Sequence, residues 1–410
     1  MDRASAWKKS FFTMYAGQAI SIVSSQAVQF SILWWITVQT GSALALTIAS
    51  VVGLLPQAVI GPFAGVWIDR YDRKTIMIAA DSAVALSSLL LGASFIFGVP
   101  SMLFMYAILF IRAVGETFHK PAMQAAIPLL VPESELTKAG GWGQMVTSAA
   151  SMAGPMMGAF LMTMSTLQYV MLVDVFGAAL ALLTLSSINV PKPSLSARDK
   201  RNVFVELKQG IDALKANPAL MGVALPILLS TIVFVPLGTL LPLMVNVYFH
   251  GTAWHNGIVQ MLFSSGMFIA ALVITVTGGL QRQFLMISLG VFALGLCALI
   301  GGLVPAGAFW LFCIIVFIMG TTGMCSHIPF TAYIQKTIPQ ENLGKVISLV
   351  TSVMSFAAPI GMFIAGPVSE IIGVNNWMVC AGILMLLVGL LCYFTTRKYD
   401  KVILQEVTVA

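Results

Sequence analysis

The sequence predicts an all-α polytopic membrane protein with twelve transmembrane helices, and three observations carry that prediction. The first is composition. Of 410 residues, 59% are hydrophobic and only 9% are charged, with a mean hydropathy of +0.95. A soluble domain carries about 25% charged residues, so this chain lacks the charge to face water on all sides. The second is run length: apolar stretches repeatedly reach the roughly 20 residues that a helix needs to cross a hydrocarbon core. They do not alternate in the ten-residue pattern of a membrane barrel, and helices satisfy their own backbone polar groups where lipid cannot. The third is positive charge, which keeps to one side of the spans.

Taken in order, the apolar runs place spans at 11–38, 42–67, 74–97, 101–125, 139–165, 167–189, 219–248, 255–279, 283–303, 306–330, 343–369 and 376–396. Lys and Arg mark cytoplasmic loops. Arg3, Lys8 and Lys9 precede span one; Arg70, Arg73 and Lys74 join spans two and three; Lys120 and Lys138 join four and five. Six more lie between spans six and seven, Arg282 follows eight, Lys336 and Lys345 follow ten, and Arg397, Lys398 and Lys401 form the tail. Of the 21 basic residues, all but Arg112, within span four, fall on one side. A wrong span count would scramble that pattern, so both termini are expected in the cytoplasm. The first apolar stretch is too long for a cleavable signal peptide. Cys297, Cys313, Cys325, Cys380 and Cys392 all fall inside spans, without metal-ligand spacing or a disulfide framework.

Span one carries Gln18, Ser21, Ser25 and Gln29 at helical steps, one polar face on an apolar helix. That face either lines a solute cavity or hydrogen-bonds neighbouring helices. Between spans two and three runs Gly65-Val66-Trp67-Ile68-Asp69-Arg70-Tyr71-Asp72-Arg73-Lys74. Gly65 lets two helices approach closely, Asp69 suits a helix N-terminus, and Arg70 and Arg73 can pair with carboxylates. These charges enforce topology, and a second role as a conformational latch is expected of Gly65, Asp69, Arg70 and Arg73. The segment resembles the loop signature of the major facilitator superfamily, with Asp72 in place of its second glycine. Span five holds Gly141, Gly154, Pro155 and Gly158. A mid-span proline bends a helix, and small residues let a neighbour pack on the bend. This run resembles the antiporter signature of drug-exporting members of that superfamily, with Ala150 and Ala159 replacing two glycines. Span eleven has an analogous Ala358-Pro359-Ile360-Gly361.

The chain divides into residues 1–190, a linker at 191–218 and residues 219–410. In the linker Phe204, Leu207, Ile211 and Leu214 recur at helical spacing between charged residues, as in an amphipathic surface helix. The halves echo each other: Gly115, His119 and Pro121 recur as Gly323, His327 and Pro329, each 208 residues later. Pro132, Leu136 and Lys138 recur as Pro339, Leu343 and Lys345, 207 residues later. Six spans per half make these parallel repeats, an architecture in which solute binds near the midplane between halves that rock around it.

The sequence is also similar to the macrolide-efflux family of bacterial drug:proton antiporters. The landmarks are Tyr15-Ala16-Gly17-Gln18-Ala19, Gly41-Ser42-Ala43, Phe110-Ile111-Arg112-Ala113-Val114-Gly115, Leu130-Val131-Pro132-Glu133 and Ile372-Gly373-Val374-Asn375, which spread across nearly the whole chain. The resemblance implies the major facilitator fold and a bacterial plasma-membrane exporter of amphipathic macrolide antibiotics, driven by protons. A monomer with no cofactor and no nucleic-acid partner is expected. No nucleotide-binding G-x-x-x-x-G-K-[ST] run occurs.

Ionisable groups inside a bilayer are functional candidates because they are expensive to place there. Well inside spans lie Asp81, Arg112, Glu116, His119 and Asp174. Asp81 and Asp174 lead as proton-coupling carboxylates, with Glu116 third and Arg112 beside it in the family's basic position. Asp81 also fits a headgroup-level ion pair, and Asp174 a cap or packing hydrogen bond. His119 and His327 read as structural. Glu116-x-x-His119 matches one ligand pair of a di-iron bundle, but the second pair is missing and no metal is expected. The 24 methionines and 25 phenylalanines suit a wall that repacks around bulky ligands. Two readings compete with efflux: a proton-coupled importer of a nutrient such as a sugar, and a membrane-embedded enzyme or sensor. The span-five signature disfavours the first, and the lack of a nucleophile–base pair or zinc motif the second.

Overall fold

A computed structural model describes the backbone of residues 3–132, 135–190, 211–280 and 282–409, without the side chains of 3–6, 62, 65, 66, 69, 70, 137, 340, 341, 344, 348 and 401–409. Among these residues there is no strand, and twelve helices are long and apolar enough to cross a membrane. They are α1 (Arg3–Thr40), α2 (Ala43–Arg70), α3 (Arg73–Ser94), α4 (Met102–Leu130), α5 (Leu136–Met164) and α6 (Leu167–Ser187), then α7 (Pro218–Leu243), α8 (Ala253–Thr277), α9 (Gln283–Leu303), α10 (Phe309–Thr337), α11 (Gln340–Ile372) and α12 (Val374–Val409). The amphipathic linker helix lies mostly outside the described residues. Its last turn, 211–215, is helical, and Ala213 and Leu214 pack on the core of the second half.

Local chemistry starts and stops these helices. Ser101 Oγ accepts from Phe104 N–H at 3.3 Å at the start of α4. Asn217 Oδ1 accepts from the N–H groups of Ala219 and Leu220, both at 3.1 Å, with Pro218 at the first helical position of α7. That proline gives up only a donor that would be unpaired there. Gly278 ends α8 in the left-handed region, φ 75°. The end of α7 widens into one π turn, Met244–Tyr248.

Several boundaries differ from the sequence expectation: α1 starts at Arg3 and α12 runs to Val409. Spans four and ten, expected at 101–125 and 306–330, continue as α4 to Leu130 and α10 to Thr337, with Pro121 and Pro329 inside. Proline in a membrane helix costs one hydrogen bond that neighbouring groups can replace. At 1.5 Å per residue each 29-residue helix spans about 43 Å, longer than a hydrocarbon core of about 30 Å. Lys120 and Lys336 therefore sit on helices rather than in loops.

The chain forms two compact units, residues 1–40 with 48–198, and residues 41–47 with 199–410. In the first, α1 packs on α5 and α6, and α3 on α4 and α6. In the second, α7 packs on α11 and α12, and α9 on α10 and α12, each pairing shifted by six helices. The duplication seen as residue echoes is thus also one of packing. Phe11, Met14, Tyr15 and Met77 anchor the first core, and Phe284, Ile287, Phe330 and Tyr333 the second. The outer surface is apolar: Phe97 is 92% exposed, Ile371 84% and Ile96 82%. Such side chains suit lipid, since soluble proteins rarely expose contiguous apolar patches beyond a few hundred Å².

Candidate functional site

The ionisable residues well inside the spans of the first unit form two groups joined by the polar stripe of α4. The deeper group is an ion pair sealed in packing. Arg112 is 1% exposed and Asp174 0%, and Arg112 Nη1 donates to Asp174 Oδ2 in a short contact. Ser88 Oγ donates to the same oxygen at 2.7 Å, and Ser25 Oγ to Oδ1 at 2.7 Å. Arg112 Nη1 also donates to Ser88 Oγ at 2.6 Å, and Nη2 to the Ser25 carbonyl at 3.5 Å. One residue from each of α1, α3, α4 and α6 is thereby tied together. Satisfying both carboxylate oxygens is what makes a buried charge tolerable.

One turn along α4 the stripe reaches a cavity of about 130 Å³, lined by residues of α1, α3, α4 and α5. The space admits several waters. Asp81 sits on its α3 wall, nearly buried. Gln18 Nε2 donates to Asp81 Oδ2 at 3.2 Å, and His119 Nε2 lies 3.3 Å from Oδ1, an ion-pair distance without hydrogen-bond alignment. Glu116 and Lys120 line the same cavity, and both are exposed although they lie on a spanning helix. Residues 112, 116, 119/120 and 123 step by three and four, so one helical face carries Arg112, Glu116, His119 and Met123 in line.

Helix packing sets the walls. A Cβ on Gly115 would come within 2.9 Å of Val84 Cγ2, so this glycine lets α4 close on α3 behind the cavity. Gly154 and Gly158 of α5 face α1, where a Cβ would overlap the Gln26 side chain and press on the Ala27 carbonyl. The span-five motif is a helix-packing surface at these two positions. Gly141 is different, with open space around a built Cβ. Asp72, the departure from the loop signature, caps α3: its Oδ1 accepts from Lys74 N–H at 3.1 Å. Lys74 Nζ in turn donates to the carbonyls of Ser186 and Ile188 at the end of α6. The side chains of Asp69 and Arg70 and the surroundings of Gly65 lie outside what the structure describes, and Arg73 is partly buried.

The sequence expectations meet this geometry unevenly. Ser21 and Ser25 line the cavity, whereas Gln18 is fully buried against Asp81 and Gln29 is not part of the lining. Asp174, expected beside Asp81 as a leading carboxylate, is sealed away with Arg112. His119, read as structural, reaches the cavity and Asp81. Missed altogether were Gln26, Lys120 and Thr147 on the cavity wall and Ser88 in the ion-pair cluster. Ser88 lies seven residues after Asp81, on the same face of α3, which is the signal that would have found it. No cluster of metal-ligating side chains occurs among the described residues.

With this geometry in view, comparison with known proteins decides the family. The sequence profile of the Major Facilitator Superfamily matches residues 14–362 and 257–406. The chain belongs to that superfamily. It is 37% identical to macrolide efflux protein A of Streptococcus pyogenes over 409 residues, covering 98% of this chain and 100% of the relative. It is also 37% identical over 329 residues to macrolide efflux protein A of Enterococcus faecalis, covering 78% of this chain and all of that one. Among solved structures, a bacterial homologue of the human lysosomal transporter Spinster superposes with a TM-score of 0.73 at 12% identity, covering 98% of this chain and 99% of that one. That likeness shows the fold alone. With twelve apolar helices and bacterial relatives of this kind, the chain is a multi-pass plasma-membrane transporter, not an enzyme.

Proposed function

We propose that this transporter exports amphipathic macrolide-type drugs in exchange for protons, alternating access between its two halves, 1–190 and 219–410, with both termini in the cytoplasm. The observation that carries the proposal is Glu116: a carboxylate on a membrane-spanning helix, open to a cavity of about 130 Å³ that Asp81 and His119 also line. Ionisable groups are placed in a membrane at a cost and serve pathways and proton relays. The names of the two macrolide efflux relatives supply the drug class.

Exchange follows from competition for one charge. A deprotonated Glu116 or Asp81 attracts the protonated amine of a drug entering from the cytoplasm. When the cavity opens outward, a proton from the medium neutralises the carboxylate and the cation leaves. Because proton and cation exclude each other at the same oxygen atoms, each weakens the other's binding to the same degree, as linkage requires. Arg112 and Asp174 hold the helices that carry this site rather than the proton itself. Ser21 and Ser25 supply neutral hydrogen-bonding surface beside it, and Gln18 orients Asp81. The loop of Asp69, Arg70 and Arg73 acts as the latch of one access state.

Drug accumulation in cells expressing the chain, with and without a protonophore, tests this reading. Lower macrolide accumulation that returns to the control level when the gradient collapses supports exchange. Accumulation that stays low without a gradient, or gradient-dependent sugar uptake, contradicts it.

A further inference from the structure

Glu116 and Lys120 stand four residues apart on α4, and both line the cavity of the first unit. Residues at that spacing project from one face of a helix, their Cβ atoms about 5–6 Å apart, and a glutamate one turn before a lysine is the favourable order for an ion pair. Among the described residues, however, neither side chain makes a hydrogen bond or an ion pair, and both are exposed. Asp81 differs, since Gln18 Nε2 and His119 Nε2 already stand at its two oxygens. The open carboxylate of the cavity thus has an open ammonium beside it.

Topology alone does not account for Lys120. Lys and Arg set orientation from cytoplasmic loops, but α4 runs on past Lys120 as far as Leu130. The second unit keeps the same packing plan without either charge. At the positions 208 residues later, Glu116 becomes Met324 and Lys120 becomes Ile328, while His119 is retained as His327. The two charges are absent together, as befits groups that act together in the first cavity rather than groups the fold requires.

We propose that Lys120 is a specificity-determining residue that sets the charge of the solute: by offsetting one of the two cavity carboxylates, it favours a molecule with one positive charge over a molecule with two. The inference rests on the preceding section in taking Glu116 and Asp81 to attract a cationic drug. One amine reaching Glu116 meets an attracting carboxylate and a repelling ammonium. A second amine on the same molecule is repelled by Lys120 as well, and only Asp81, already engaged by Gln18 and His119, offsets that. The magnitude is sufficient. At an effective dielectric of about 20, a unit charge about 12 Å away still changes the binding of a cation about tenfold, and salt screens part of this. Removing Lys120 strengthens the binding of a monocation once and of a dication twice, so the ratio of the two affinities isolates the charge. A purely structural role would lower both affinities in parallel.

Erythromycin has one basic amine and azithromycin two, so the pair reads out this ratio. Binding of tritiated erythromycin, and its displacement by azithromycin, is measured on the purified full chain in detergent at fixed pH and ionic strength. Lys120→Met is expected to raise the affinity for azithromycin relative to erythromycin roughly threefold or more, and Lys120→Glu to raise it further. Lys120→Arg keeps the charge and should hold the parent ratio, and Lys120→Gln gives the same neutral test if Lys120→Met unfolds. A parent ratio in the neutral and Glu variants overturns the role of Lys120. A ratio shifted as far by Lys120→Arg as by Lys120→Met makes the effect one of shape and overturns it too. Failure of the parent to bind either drug sinks the drug-class reading and this inference with it, whereas an unchanged ratio in variants that bind erythromycin removes Lys120 alone.

Discussion

At the scale of single residues, a charge in hydrocarbon must be matched or exposed, and this chain does both within one turn of α4. Arg112 is matched by Asp174, and removing one partner of a sealed pair leaves an uncompensated charge costing about 3–5 kcal/mol. Asp174→Asn is therefore expected to lower the thermal unfolding temperature in detergent sharply. Arg112→Gln combined with it should recover part of the loss, because the orphaned charge goes too. Equal stability of single mutant and parent would contradict the assignment. Glu116 is the exposed case, so Glu116→Gln should leave abundance and unfolding temperature nearly unchanged while cutting macrolide export at least tenfold. Export at the parent rate would remove Glu116 from the exchange site. The need for charged residues inside the spans was legible from hydropathy alone. Their pairing was not, because Arg112 and Asp174 are 62 positions apart and only the packing of α4 and α6 on α3 brings them together. That packing is also why Asp174 looked as available as Asp81.

At the scale of helices, the close contact of α5 on α1 rests on Gly154 and Gly158. Gly158→Leu drives a side chain into the Ala27 carbonyl, and overpacking of this kind costs about 1–3 kcal/mol. Gly141→Leu meets open space and should change stability by no more than about 0.5 kcal/mol. Unfolding temperatures of the two variants in detergent check the contrast, and an equal loss in both would deny that the motif acts through packing at its later glycines. The spans themselves were readable, since apolar length is a property of each segment alone. The ends of α4 and α10 were not: Pro121 and Pro329 look like stops, yet packing and the length of the apolar face carry the helices through them. Gln26 escaped notice for a related reason, since the edge of a polar face is set by the neighbour that covers it.

At the scale of the whole molecule, two units share one packing plan and hold different cavities, one lined by Asp81 and Glu116 and one, of about 250 Å³, mostly apolar with Ser230, Thr231, Ser326 and His327 as its polar groups. The repeat was visible in the echoes of residues 115–121 at 323–329, but the contrast in lining emerges only when four helices of each unit are assembled. Export by proton exchange requires that drug movement and proton movement be one process, and reporter fusions to either terminus should read as cytoplasmic if positive charge sets the topology. The most direct measurement is of proton flux in proteoliposomes holding the purified chain, with a pH-sensitive dye on the far side of an imposed pH gradient. Addition of erythromycin is expected to dissipate the gradient through the parent chain and to have little effect through Glu116→Gln. Erythromycin crossing the vesicle membrane through the parent chain with no accompanying proton movement would contradict the account.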